Sequence, residues 1–226
     1  MQIIPNVHLI PLGFVNAYLI VEEDGLVLID AGMRASRKRI SAYLKSIGHT
    51  LQDIKLILLT HADPDHCGSA EKIRLVSGAR ICASPTEAHA LSTGRPSRPL
   101  NLPFPFNRFM RMIEALSSPK FEVDEILQER QILPVLEELL VVPTPGHTPG
   151  HISLYAPAHK LLFAGDALRT AEKKFRRSNQ PIFTDSIEQH AASFQILADL
   201  QPEIVCAGHG PVLFDAAPKF KEIPKE

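Results

Sequence analysis

Residues 58–69 read LLTHADPDHCGS. They close the apolar run IKLILLT (54–60), which reads as a strand buried on both faces. Polarity changes at His61, so the next residues form the loop at the strand's carboxyl end, a place where rigid scaffolds present site residues. That loop holds His61, Asp63, Asp65 and His66. Carboxylates this close together repel one another, and a cation offsets the repulsion. Imidazole mixed with carboxylate suits Zn, Fe or Mn. Taken alone, the segment also fits a polar loop whose Asp caps the next helix.

The same pattern recurs outward from this loop. LIDAG places Asp30 at a strand end. TPGHTPGH presents His147 and His151 in a Pro/Gly turn after a strand. FAGD presents Asp166 and CAGHG presents His209. Five strand ends terminate in His or Asp, several beside glycines that let backbone approach a ligand closely. A purely structural explanation must account for each separately, whereas clustered His and Asp point together to metal or catalysis. His8, His49, His89, His159 and His190 lack such surroundings and read as surface residues.

The rest of the chain supplies the scaffold. Residues 17–30 read as a β-hairpin. Residues 36–47 place Ile40, Leu44 and Ile47 on one helical face, with Gly48 as the stop. A helix over Ser69–Val76 ends at Gly78, and Arg80–Ala83 is a short strand. Ser84-Pro85-Thr86-Glu87 reads as a capping box with Pro at the first helical position. Residues 93–120 hold Pro96, Pro99, Pro103, Pro105 and Pro119 among Phe104, Phe106, Phe109, Met110 and Met112. They read as an insertion with one short helix. Strands follow at 138–143, 151–157 and 160–165. A second capping box, Asp185 and Glu188, starts a helix to about Leu200, and 203–208 is the last strand. Cys67 reads as a small buried filler, and Cys82 and Cys206 as core. Two sheets packed face to face with helices outside fit this order, and so does one doubly wound sheet.

Composition narrows the class. The 226 residues are read as a single domain, 1–226, with the insertion at about 93–120. Hydrophobic residues at 45% and charged residues at 22% are values of a globular chain. The 24 basic and 25 acidic residues nearly cancel, so the general basic field of a nucleic-acid binder is missing. The 3 cysteines form no CxxC, which argues against a disulfide framework or a thiolate zinc knuckle. MQIIPNVHLI carries no basic region before a long apolar stretch, and no run suits a membrane span. The expected compartment is the cytoplasm.

In this order the motifs resemble those of the metallo-β-lactamase fold superfamily, whose signature is HxHxDH followed by a later His, a bridging Asp and a final His. The resemblance runs from LIDAG through THADPDH, TPGHTPGH and AGD to AGHG. It implies a four-layer αββα sandwich of two mixed β-sheets with outer helices and a dinuclear metal site at one edge. It further implies that His61, Asp63 and His147 hold one ion, that Asp65, His66 and His209 hold the other, and that Asp166 bridges. Asp30 and His151 fall to supporting positions behind these ligands. The second His of the signature is Asp63 here. Zn remains the first expectation for the two divalent ions, and the carboxylate shifts preference towards Fe or Mn. A carboxylate also stands there in the di-iron flavoprotein branch, as Glu, but that branch carries a flavodoxin domain, which is not expected for this chain.

The implied chemistry is hydrolysis by a metal-bridging hydroxide oriented by Asp65, the expected catalytic residue. No protein nucleophile is required, and no GxSxG occurs. The expected substrate is a small ester, thioester or lactone, with the family's thioesterases of the glyoxalase II type and its lactonases as models for the activity. A full C-terminal helical substrate domain like that of the glyoxalase enzymes is not expected in these 226 residues. A lid of Phe and Met from 93–120 would favour an apolar acyl group, although these residues equally fit plain packing. KKFRR (Lys173, Lys174, Arg176, Arg177) reads as a solvated basic loop before an anion site. Balanced charge argues against a nuclease, and the lack of an export signal against a β-lactamase. The alternatives are a non-haem iron oxidoreductase of the persulfide dioxygenase type and a non-catalytic metal-binding ligand sensor. The expected partner is a small-molecule substrate, with neither nucleic acid nor membrane, for a monomer or homodimer.

Overall fold

The computed structural model describes residues 1–98, 118–172, 174–176 and 183–222. Among them the chain forms two mixed β-sheets. The first runs β1 (Gln2–Ile4), β2 (Val7–Pro11), β3 (Asn16–Glu22), β4 (Gly25–Ile29), β5 (Ile54–Leu58), β6 (Arg80–Ala83) and β7 (Glu125–Ile126), in that spatial order. β1 to β4 pair antiparallel, and β4 to β7 parallel. The second sheet comprises β8 (Ile132–Leu133), β9 (Leu139–Pro143), β10 (Ile152–Ala156), β11 (Leu161–Ala171), β12 (Lys174–Arg176), β13 (Ile204–His209) and β14 (Leu213–Phe214). Its spatial order is β14-β13-β11-β10-β9-β8, with β12 pairing β11. Only β11 and β13 run parallel in it.

The alternation of each strand shows why two sheets win over one. Tyr18 and Ile20 of β3, Val27 and Ile29 of β4, and Leu161 and Phe163 of β11 all enter one shared core between the sheets. Their neighbours Leu19, Leu26 and Leu28 face the opposite way, onto Ile40, Leu44, Ile73 and Leu91 of the helices. Leu162 and Ala164 of β11 face outward onto Leu197. Each apolar run thus serves two cores, so its strand reads as continuously hydrophobic. The helices of the first outer layer are α1 (Arg37–Ser46), α2 (Pro64–Cys67), α3 (Ala70–Ser77) and α4 (Pro85–Thr93); those against the second sheet are α5 (Ile187–Asp199) and α6 (Ala216–Lys219). No described helix is long and apolar enough to cross a membrane.

The elements depart from the sequence reading in instructive places. The strand at β13 is not the last, because β14 follows it; β1, β7 and β8 add edges of only two or three residues, and β2, five residues ending at Pro11, pairs between β1 and β3. In β5, Lys55 is exposed at the end away from the site, so burial on both faces holds only for the later residues. Neither capping box forms as read. Ser84 Oγ donates to the carbonyl of Gly150 (2.6 Å), and Glu87 is engaged elsewhere. α5 is capped by Ser186, whose Oγ accepts from the Gln189 N–H (3.2 Å). Lys174 and Arg176 of the basic segment lie exposed on β12 rather than in a loop, while Lys173 and Arg177 lie outside the described residues. So does most of the 93–120 insertion, residues 99–117.

His190 is also not at the surface. It is buried on the inner face of α5, with Ser193 and Leu197 at helical spacing. A side chain at Gly146 would collide with its backbone. Burial pushes the His190 imidazole down to about 4, against ~6.5 in an unfolded chain. As pH falls, the unfolded chain takes up this proton first. Stability present above about pH 6.5 is therefore lost on the way to about pH 4, by up to about 3 kcal/mol from this residue. His190→Gln is expected to flatten that part of the profile by about one proton, as read from denaturant titrations near neutral pH and in mild acid.

Candidate metal centre

The site residues gather at one end of the sandwich because strands of both sheets finish there. His61 follows β5. Asp65 and His66 ride on the single turn α2. His147 lies in the turn between β9 and β10. Asp166 sits within β11, which runs on past it, and His209 is the final residue of β13. The β11–β13 register shifts on both sides of Gly165. Gly165 has φ +52°, and a Cβ there would press on His151 and Thr60. This irregularity turns Asp166 into the site. A Cβ at Gly208 would overlap Asp166 and His66, so the glycine of CAGHG is required by close approach.

Two donor groups result. His61, His147 and Asp166 form one, and Asp65, His66 and His209 the other, with each group's donor atoms within 4.8 Å of one another. Asp166 faces both. Its Oδ1 lies 3.4 Å from His66 Nε2, and its Oδ2 lies 3.2 Å from His209 Nε2 and 3.7 Å from His147 Nε2. Asp65 Oδ2 is 3.5 Å from His209 Nε2. Asp63 Oδ2 is 3.2 Å from His147 Nε2 and 3.8 Å from His61 Nε2. Donors at ~2.0–2.2 Å from one tetrahedral ion stand ~3.3–3.6 Å apart, so these spacings suit a shared ion.

Hydrogen bonds set the histidine tautomers. His66 Nδ1 meets Asp30 Oδ2 at 2.8 Å. His209 Nδ1 donates to the carbonyl of Phe14 (2.7 Å). The Thr60 hydroxyl donates to Asp30 and so accepts from His61 Nδ1 (3.0 Å). Each ring is thereby held with Nε2 towards the cluster and its lone pair available. The buried Nε2 atoms of His61 and His66 make no hydrogen bond among the described residues. Buried polar atoms left this way signal a missing partner, and a cation satisfies both. His151 differs. Its Nδ1 meets Thr144 Oγ1 (2.8 Å) and its Nε2 accepts the Asp166 N–H (3.0 Å), so both nitrogens are committed behind the cluster. Asp30, at φ +56°, carries backbone strain where it holds Thr60 and His66.

Electrostatics agree with a site poised for cations. Burial alone pushes the Asp166 carboxyl up, but His66 and His209 outweigh it and hold the group well below the carboxylate range. Asp63 behaves likewise: burial opposes ionisation, and His147, His61 and Arg98 overcome it. Burial drives His61 and His151 well below the ordinary imidazole value. His66 runs against its own burial and is raised by Asp30, Asp166 and Asp65.

Two residues here escape a reading of the sequence. Arg98 is buried, and its Nη2 donates to Asp63 Oδ2 (2.5 Å). Glu87 accepts from the Ala62 N–H (2.8 Å), the Thr148 hydroxyl (2.7 Å) and the Gly150 N–H (3.1 Å). It thereby ties the loop of His61 to the turn of His147.

Comparison with known proteins agrees with this geometry. The family model of the metallo-beta-lactamase superfamily matches residues 10–209. The chain belongs to the metallo-beta-lactamase superfamily. Within this superfamily it is 33% identical over 224 residues to the probable metallo-hydrolase YflN of Bacillus subtilis (strain 168), covering 91% of this chain and 84% of that one. It is 28% identical over 167 residues to the hydroxyacylglutathione hydrolase of Cereibacter sphaeroides (strain ATCC 17029 / ATH 2.4.9), covering 74% of this chain and 52% of that one. It thus spans about half of that enzyme. Among solved structures, a metallo-beta-lactamase family protein of Thermus thermophilus superposes with TM-score 0.74 at 27% identity, over 98% of this chain and 79% of the other. The superfamily supports a metal-dependent hydrolase on a two-sheet αββα frame.

Proposed function

We propose that this protein cleaves a small ester, thioester or lactone with two divalent ions, zinc foremost, held by His61, Asp63, His147 and Asp166 and by Asp65, His66, His209 and Asp166. The observation that carries the reading is Asp166, whose two carboxylate oxygens face the imidazoles of both donor groups. Bound there, two ions supply a water of lowered pKa and positive charge for the oxygen of a carbonyl.

The chain's own groups do the rest. Asp166 stays ionised among the imidazoles and keeps the groups in register. Asp65, at 24% side-chain exposure, is the more open carboxylate of the second group. It orients the attacking water and takes up its proton at the free edge of the carboxylate. Thr60 and Asp30 fix the rings of His61 and His66. Phe14, 63% exposed, stacks on the His209 ring with centroids 5.9 Å apart. It offers an apolar wall beside the site, which suits an acyl group.

Chelator treatment is expected to abolish hydrolysis across a panel of ester, thioester and lactone substrates, and zinc or manganese to restore it. Hydrolysis that survives complete removal of metal would overturn the proposal. The two-His, one-carboxylate set at His61, His147 and Asp63 favours one second reading, a non-haem iron oxidoreductase. About one iron per chain with oxygen uptake on a persulfide would select it over the hydrolase.

A further inference from the structure

We propose that Asp63 and Arg98 form a matched charge pair that stands in for a neutral imidazole at the first donor group, and that Arg98 thereby sets which metal that group prefers. The inference rests on the two-metal reading of the site and not on which bond is cleaved. Asp63 Oδ2 lies among the Nε2 atoms of His147 and His61 and receives Arg98 Nη2 on the same atom. The guanidinium is 4% exposed, and its Nε and Nη1 make no hydrogen bond among the described residues. A buried guanidinium is tolerated only with a paired anion, because taking its charge out of water is costly. Asp63 is the carboxylate that supplies that anion.

Formal charge explains why the two residues belong together. With an imidazole at position 63, Asp166 would be the group's only charge. With Asp63 alone, the group would carry a second negative charge and turn towards harder ions. Arg98 cancels it and returns the group to the balance of three imidazoles and one carboxylate. The shift towards Fe or Mn expected from Asp63 alone is thus opposed by a residue thirty-five positions away in sequence, with zinc retained as the preferred ion. Arg98 is a positioning residue: it acts through Asp63.

The test is a double-mutant cycle read by zinc and manganese affinity in competition with a chromophoric chelator, with circular dichroism confirming the fold. Asp63→His is expected to weaken zinc binding by about tenfold to a hundredfold, the usual range for losing an outer partner of a metal ligand, since it strands the charge of Arg98 beside the ion. Arg98→Gln in that background is expected to recover most of the loss. Arg98→Gln alone is expected to move the zinc-to-manganese preference about tenfold towards manganese, while Arg98→Lys, which keeps the charge, stays near wild type. Asp63→Asn repeats the cycle with a residue of nearly unchanged shape. A double mutant no better than Asp63→His, or an unchanged metal preference in Arg98→Gln, overturns the pair while leaving the two-metal reading intact. A wild type that takes up neither ion overturns both.

Discussion

Asp166→Ala is expected to lower bound metal from about two ions per chain to one or fewer, and hydrolysis by about a thousandfold or more. Metal ions contribute several kcal/mol of charge stabilisation in a transition state, and each ~1.4 kcal/mol is a factor of ten in rate. Asp166 is the residue whose loss reaches both donor groups, because its oxygens face His66 on one side and His147 and His209 on the other. Its removal leaves the second group with Asp65 as its only anion and the first with an Asp63 already paired to Arg98. The backbone at this point is set by the irregular register beside Gly165 rather than by the Asp166 side chain, so far-UV circular dichroism is expected to stay native. Elemental analysis together with steady-state rates checks both halves of this prediction.

Glu87→Ala is expected to be the most damaging change outside the donor groups, at about 3 kcal/mol of stability and a tenfold to hundredfold loss of metal affinity. Its carboxylate accepts from Ala62, Thr148 and Gly150, and it reaches both the loop that follows β5 and the turn between β9 and β10. Removing it strands buried donors, and each costs about 1–3 kcal/mol. Burial pushes the Glu87 carboxyl up, while the bonds from Thr148 and Ala62 pull it back towards ionisation. Glu87→Gln keeps the shape but turns an NH2 towards groups that are themselves donors. It is expected to recover part of the stability and less of the metal affinity. Denaturant titration with and without zinc separates the two effects. A Glu87→Ala protein with wild-type metal affinity would show that the two ligand segments hold their places without this tie.

Most of the candidate donor set was legible in the sequence because its members follow or end a strand and several stand beside glycines required by packing; Asp166, read as the residue after a strand, instead lies inside β11, where the register shift at Gly165 turns it inward. His61, Asp65, His66, His147, Asp166 and His209 come together as the ordered motifs imply. Asp63 is not part of either donor group, and its Oδ2 stands 3.2 Å from His147 Nε2 beside the first. Arg98 and Glu87 were not legible, for a physical reason. Their importance lies in partners far along the chain, and neither position carries a local pattern that reveals a distant bond. Glu87 was hidden further by a local explanation, since Ser-Pro-Thr-Glu fits a capping box that the fold does not use. His190 did carry a signal, the helical spacing with Ser193 and Leu197 that marks the inner face of α5, and its polarity masked it. The choice between one sheet and two lay beyond periodicity altogether. A strand such as β3 reads as continuously apolar whether its second face meets a helix or another sheet. The ties that join the sheets next to the site, Tyr18 Oη donating to the carbonyl of Ala207 (2.7 Å) and Asn16 Nδ2 donating to those of Ala207 and Gly210 (3.1 and 2.8 Å), span most of the chain.

The most direct measurement is the metal content of protein purified without added metal, by elemental analysis, on wild type and on Asp63→Ala. About two ions per chain in the wild type, zinc foremost, with a fall on mutation, is the result expected of a dinuclear centre in which Asp63 takes part. No bound metal in either protein, with none taken up when zinc is supplied, would contradict the account at its centre.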